Sequence, residues 1–209
     1  MTTGGALTDS GNVTVAGLAT IVSTGQAVTL GDSTTADFGS LDLAGAAVTI
    51  NEGSAMAIAA SEATGALSLT ASGAITQSGA IDADSTASFT AGGNAITLAN
   101  AANDFSAAVS LSNSGTNDVS LRGANALNLG TVGVGQNLTV QAGGAITDSG
   151  VVTVGGTTTF NNSGAVAAIT LGSASTYTGN VTFTTEAGSD VTITANSAFA
   201  IQSGLHVNN

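Results

Sequence analysis

One phrase of this chain occurs three times, and its spacing limits what the chain can fold into. Gly4-Gly-Ala-Leu-Thr-Asp-Ser-Gly11 returns as Ser72-Gly-Ala-Ile-Thr-Gln-Ser-Gly79 and as Gly143-Gly-Ala-Ile-Thr-Asp-Ser-Gly150, with starts 68 (72 − 4) and 71 (143 − 72) residues apart. A second block keeps the same phase: Phe38 with Leu41-Asp-Leu43 and Val48-Thr-Ile50, Phe105 with Val109-Ser-Leu111 and Val119-Ser-Leu121, Tyr177 with Val181-Thr-Phe183 and Val191-Thr-Ile193. Leu67-Ser-Leu69, Leu138-Thr-Val140 and Leu205-His-Val207 close the units. The chain therefore divides into three long-period repeats, about 4–71, 72–142 and 143–209, and reads as a piece cut from a longer array at a repeat boundary.

Within a unit the pattern is apolar, small polar, apolar, then a turn of Gly, Asn, Ser or Asp, as in Ile96-Thr-Leu98, Leu127-Asn-Leu129 and Leu138-Thr-Val140. Period two over such short runs predicts strands with one face buried. No stretch carries a 3.6-residue apolar period, and the 29 glycines spread along the chain would each penalise a helix by about 1 kcal/mol relative to Ala. The expected class is all-β, and the long-range self-similarity favours a parallel β-helix over a sandwich or barrel. At three strands per coil, a unit of about 70 residues becomes three coils of about 23, so roughly nine coils stack into a rod on the order of 40 Å at about 4.8 Å per coil.

Composition narrows function. Thirteen acidic residues against the single Arg122 and no lysine give a net charge of −12, which leaves nothing to neutralise phosphates or an anionic membrane surface. Only 7% of residues are charged and 3% aromatic, and Cys, Trp and Pro are absent, so the usual equipment of a catalytic pocket is thin. The start Met1-Thr-Thr-Gly-Gly-Ala lacks a signal-peptide pattern, and no run approaches the roughly 18 apolar residues of a membrane helix.

Phrases of the kind Gly143 to Gly150, Asn137 to Val140 and Asn103 to Phe105 resemble the stalk repeats of filamentous-haemagglutinin-type adhesins, and autotransporter passengers are similar. That resemblance covers essentially the whole chain. It implies a right-handed β-helix, export to the outer-membrane surface of a Gram-negative bacterium, and ligand sites confined to extra loops or separate domains. The Asn-Pro pairs of the family's secretion domain have no counterpart in a chain without proline.

Several residues invite a functional reading. Asp82 and Asp84, two apart in a strand, place both carboxylates on one side, as β-helix glycosidases arrange their acids, yet the other two units lack the pair. His206, the lone histidine, would be needed for a Ser-His-Asp relay, but it fills the polar slot held by Ser68 and Thr139 in the other units and is expected to face outward. Arg122 is expected to pair with a nearby acid such as Asp118 across the surface. Asp118 and Asp190 before equivalent strands, and Asp9 and Asp148 in the Thr-Asp-Ser-Gly turns, read as caps of turn amides rather than calcium ligands. Gly130, Gly133 and Gly135 read as turn glycines and not a phosphate loop. Asn12, Asn137, Asn161 and Asn180 sit in glycosylation-type triplets that are, for three of them, the turn-then-strand phrase of the repeat. Thr182 with Thr184, and Thr192 with Thr194, evoke ice-binding arrays but are expected on different faces.

The expected function is a rigid, non-catalytic stalk segment of an exported surface adhesin, with no catalytic, cofactor-binding or metal-binding residue assigned. Its partners would be the neighbouring repeats, another copy at the coil ends, and a host ligand; nucleic acid and membrane insertion are not expected. The alternatives are a self-assembling fibre and a module binding a glycan, a receptor or ice, for which Ala99 to Ala108 and Ser173 to Gly179 are the only candidate insertions. A β-helix lyase or hydrolase ranks last.

Overall fold

The computed structural model describes residues 1–32 and 35–202. Every strand pairs in parallel with a strand one turn away, so the described chain is a β-solenoid of about ten turns with no helix. The second repeat shows the winding most simply. Ile75–Gln77, Ile81–Ala83 and Ala87–Thr90 form three sides of one turn; the next three strands, Ile96–Leu98, Asp104–Phe105 and Ala108–Ser112, pair back onto them in that order.

Some turns span the 23 residues expected, as from Ile96 to Val119 and from Ile146 to Ile169, but others are shorter. Ile50 stacks on Leu69, Leu69 on Phe89, Phe89 on Leu111, Val132 on Val152, so the chain returns to a rung every 19 (69 − 50) to 22 (111 − 89) residues in this column. The reason lies in strands that cross a corner without a turn. Met56–Ala63 pairs through Met56 to Ile58 with one strand and through Ser61 to Ala63 with another. Val13–Ser23, Ala36–Gly45 and Leu127–Val134 bend in the same way. Counting both arms of each bent strand, a repeat holds ten strand segments rather than nine. With three segments to a turn, ten segments are three and a third turns, and each repeat starts one face further round the rod.

The repeated phrase records this rotation. Leu7 stacks on Val28 and Val48, Ile75 lies between Met56 and Ile96, and Ile146 lies between Leu127 and Ile169, which are three different columns. An aromatic pair is carried round with it. Phe89 meets Phe105 edge-to-face at 6.3 Å and 84°, and ten segments later Phe160 meets Tyr177 at 6.3 Å and 88°. Inward Val, Leu, Ile and Phe side chains fill the lumen in one continuous core, each contributing on the order of 1.5–3 kcal/mol.

One position in that core is mismatched. Thr158 is fully buried between Leu138 and Val181, and its hydroxyl has no hydrogen-bond partner. Thr158→Val keeps the shape and removes an unpaired polar group, so it is expected to raise stability by about 1 kcal/mol in urea unfolding; a loss would show that the hydroxyl finds a partner.

Candidate functional site

Asp82 and Asp84 both point outward at Ile81–Ala83, as their spacing requires. The winding adds neighbours that the spacing alone does not supply: Asp82 has Glu62 and Asp104 as its partners on the adjacent rungs. Partial burial, then the charges of Asp84, Asp104 and Glu62, push the Asp82 carboxyl above the ordinary range. The row is bounded by Asn125, whose amide donates to Asp104 at 3.0 Å. Among the described residues no group of three or more His, Cys, Asp or Glu is arranged to hold a metal ion. His206 lies outside the described residues.

The acidic turn residues act across coils. Asp148 accepts from the backbone N–H groups of Gly172 at 2.7 Å and Ser173 at 3.2 Å, and its repeat equivalent Asp9 accepts from Gly31 at 3.2 Å. Turn-amide capping is thus present, but the amides belong to the following turn of the solenoid. At the third equivalent position Gln77 holds Asn103 in a two-way amide pair. The glycosylation-type asparagines do similar work: Asn12 accepts from Thr35 N–H and Asn137 from Thr157 N–H, each one coil on.

Two expectations are corrected. Asp118 does not pair with Arg122; it accepts from the backbone and side-chain nitrogens of Asn137 at 3.3 and 2.9 Å. The two residues are four apart along an extended strand, which at about 3.3 Å per residue separates them by about 13 Å. Gly130 and Gly133 lie inside the strand Leu127–Val134 and not in a turn. At Gly130, where that strand rounds the corner, a β-carbon would stand 2.5 Å from the Ser110 hydroxyl, which would have to turn away.

The stretches weighed as insertions are integral to the coil. Ala99 to Ala108 contains buried Asn103 and Phe105, and Ser173 to Gly179 includes the end of Ile169–Tyr177, with Ser175 and Tyr177 in the lumen. Burial pushes the Tyr177 phenol up to about 12.

The outer surface carries order that comparison of neighbouring strands misses. Thr182 and Thr192 do lie on different faces, but Thr182 continues the row Thr76, Thr97, Ser120, Thr139, Thr159, one hydroxyl per turn. A second row runs Thr8, Thr29, Thr49, Ser68, Ser88, Ser110 on another face. The signal was available in the sequence at a spacing of about one turn rather than ten residues.

Glu52 was not singled out by its sequence context. The alternation Val48-Thr-Ile-Asn-Glu52 gives it inward parity, and it is 3% exposed, stacked on Ala71. One carboxylate oxygen accepts from Phe38 N–H at 2.9 Å, and the other has no partner. Burial, reinforced by the charge of Asp37, pushes its pKa up against the opposing effect of the Phe38 hydrogen bond. A carboxyl whose folded-state pKa is raised stabilises the fold fully at pH below its ordinary value and loses that contribution as pH rises through the raised one. Glu52→Gln is accordingly expected to melt above the parent chain at pH 7 and level with it near pH 4. Equal melting temperatures at both pH values would contradict the assignment.

These features define the class: a parallel β-solenoid whose three repeats rotate by a face apiece. A model for a family described as repeats of unknown function (DUF5649) matches residues 1–44, 45–112 and 116–184, and the chain belongs to that family. The second and third matched units start 27 residues (72 − 45, 143 − 116) before the phrase used above and share the 71-residue spacing of its second and third occurrences (116 − 45). No curated protein and no solved structure matches the chain.

Proposed function

We propose that the chain is a non-catalytic spacer segment of a bacterial surface adhesin, exposed outside the cell. The observation that supports this reading is the way the repeat extends the rod: a unit of about 70 residues adds three and a third turns, about 16 Å at about 4.8 Å per turn, without interrupting the ladder. Length then scales with repeat number while the cross-section stays constant, which is what a stalk requires. The resemblance of the Gly-Gly-Ala-Ile-Thr-Asp-Ser-Gly and Asn-Leu-Thr-Val phrases to filamentous-haemagglutinin-type stalks supports the same reading. The direct test is immunogold labelling of intact cells that encode the chain, with antibody raised against it. Labelling of unpermeabilised cells is expected; labelling only after permeabilisation would overturn the proposal.

A second reading rests on the hydroxyl rows. One outward Ser or Thr per turn over six turns on each of two faces is a regular surface that a carbohydrate could lie along. Retention on a polysaccharide column that Thr97→Lys with Thr139→Lys abolishes would favour it over the spacer.

A further inference from the structure

Arg122 is the one Lys or Arg in a chain of thirteen acidic residues, and among the described residues its guanidinium has neither an ion pair nor a hydrogen bond. The fold does not demand a cation there: Asn51 and Thr194 hold the same place after Val48-Thr-Ile50 and Val191-Thr-Ile193 in the other repeats. Around Arg122 the strands Val119–Gly123, Leu138–Ala142, Thr158–Asn161 and Val181–Thr184 stack in register and lay two outward rows side by side. Ser120, Thr139, Thr159 and Thr182 belong to the hydroxyl row described above, and Arg122, Gln141, Asn161 and Thr184 form the second. Neither row carries a carboxylate over these four rungs. Asp118, just before the first strand, is engaged by Asn137, and the row of Glu62, Asp82 and Asp104 lies on another face.

Beside Arg122 the chain rounds its corner on small residues. Gly143 passes so close to the turn before it that a β-carbon would stand 1.9 Å from the Ala124 carbonyl oxygen. One turn on, the same corner lengthens from residues 143–145 to residues 162–168. Arg122, Gln141 and Ser163 of the longer corner line a surface cleft of about 170 Å³, with Ala124 and Gly143 between them. The longer corner is braced: Asn161 Oδ1 accepts from the Ser163 N–H and hydroxyl at 2.9 and 2.7 Å, and Gly164 N–H donates to Glu186 at 2.9 Å.

The groups left over in this cleft are donors. The Gln141 side chain, like that of Arg122, has no hydrogen-bond partner among the described residues. A guanidinium offers five N–H donors and no acceptor, in a planar fork that matches a carboxylate. One cation cannot hold a polyphosphate or an anionic membrane, but it can hold one carboxylate. At physiological salt the remaining charges of the chain are screened beyond about 8 Å, so the acid-free surroundings of Arg122 decide its preference. The cleft is smaller than the roughly 300–1,000 Å³ that encloses a free small molecule, so it suits one group of a ligand that runs on along the rows. We infer, resting on the carbohydrate reading of the hydroxyl rows, that this cleft takes the carboxylate of a uronic-acid unit in an acidic polysaccharide. Arg122 grips the carboxylate, Gln141 donates beside it, and Ser120, Thr139 and Thr159 meet the sugar hydroxyls alongside.

The test is biolayer interferometry of the immobilised 209-residue chain at physiological salt against alginate, hyaluronate, alginate esterified with propylene glycol, and dextran sulfate. Arg122→Gln is expected to fold, since Asn51 serves at the matching position, and circular dichroism checks it. The parent is expected to bind alginate or hyaluronate about tenfold more tightly than the uncharged ester. Arg122→Gln removes that preference and leaves binding of the ester unchanged, Arg122→Lys recovers only part of it because an ammonium lacks the fork, and Gln141→Ala weakens it by a smaller factor. Equal binding of alginate and its ester by the parent overturns the inference and leaves the carbohydrate reading standing; binding of none of the polysaccharides overturns both. Uronate binding that Arg122→Gln leaves intact overturns the site. Dextran sulfate bound as tightly as alginate, and lost equally in Arg122→Gln, would mean attraction for any anion and overturn the carboxylate assignment.

Discussion

Phe160→Ala is expected to lower stability by about 3–5 kcal/mol. The ring is fully buried at the centre of the aromatic cluster, stacked on Phe183 at 5.7 Å and 19° and edge-on to Tyr177 at 6.3 Å. Truncation removes both contacts and leaves a cavity that the parallel ladders on either side, at Val140 and Phe183, hold open. Ten segments earlier the matching position is Phe89, whose one close ring neighbour is Phe105, and in the first repeat it is Ile21. Phe89→Ala should therefore cost less than Phe160→Ala, and Phe160→Leu should be tolerated at about 1 kcal/mol, since an aliphatic side chain already serves at Ile21. Urea unfolding of the three variants checks the order. Equal losses at positions 89 and 160 would show that the rings contribute only their volume.

The second large effect is expected at Asn103. This fully buried amide links three turns: its oxygen accepts from Ile81 N–H at 2.9 Å and from Gln77 at 2.8 Å, and its nitrogen donates to Gln77 and to the Arg122 carbonyl, both at 2.9 Å. Asn103→Ala strands the buried Ile81 N–H and removes the bonds to the Arg122 carbonyl and to the half-buried Gln77 amide, whose nitrogen keeps its bond to the Gly79 carbonyl. At about 1–3 kcal/mol for each buried group left without a partner, the loss should be about 3 kcal/mol. In a solenoid each turn is supported by its neighbours, so the damage is local first. Hydrogen exchange should accelerate at Ile81 and Gly123 before it does at Val28 or Val181. Uniform acceleration along the rod would contradict that picture.

The inward pattern of the rod was legible in the chain because period-two alternation in Val48-Thr-Ile, Ile96-Thr-Leu or Val119-Ser-Leu leaves one parity to bury, and those residues are buried. The turn length was not legible. Val13–Ser23 and Met56–Ala63 round their corners through Ala16-Gly17 and Ala59-Ala60, which carry no Asn or Asp turn signal, so each reads as one strand where the fold uses two. That undercount turned ten segments into nine and ten turns into roughly nine. The same miscount hid the hydroxyl rows, and it hid the partners of Asn103, whose bonds run to residues 26 before and 19 after it. Asp82 shows the limit in the other direction. Its pairing with Asp84 is a matter of spacing and could be read from the chain, whereas its flanking by Glu62 and Asp104 depends on the register between turns.

That register, and with it the rotation of one face per repeat, is tested most directly by disulfide trapping. Thr8 with Thr29, Thr76 with Thr97, and Thr147 with Thr170 are outward Cα partners, one pair on each face, and the first members stand at the same position of successive repeats. Each pair replaced by cysteines should form an intramolecular disulfide under mild oxidation, read by mass spectrometry after proteolysis. A repeat of three whole turns would instead place residue 76 beside residue 99 or 100, about 23.7 residues on for a 71-residue unit divided by three. Cross-linking of Thr76→Cys to Asn100→Cys in preference to Thr97→Cys would contradict the three-and-a-third-turn repeat.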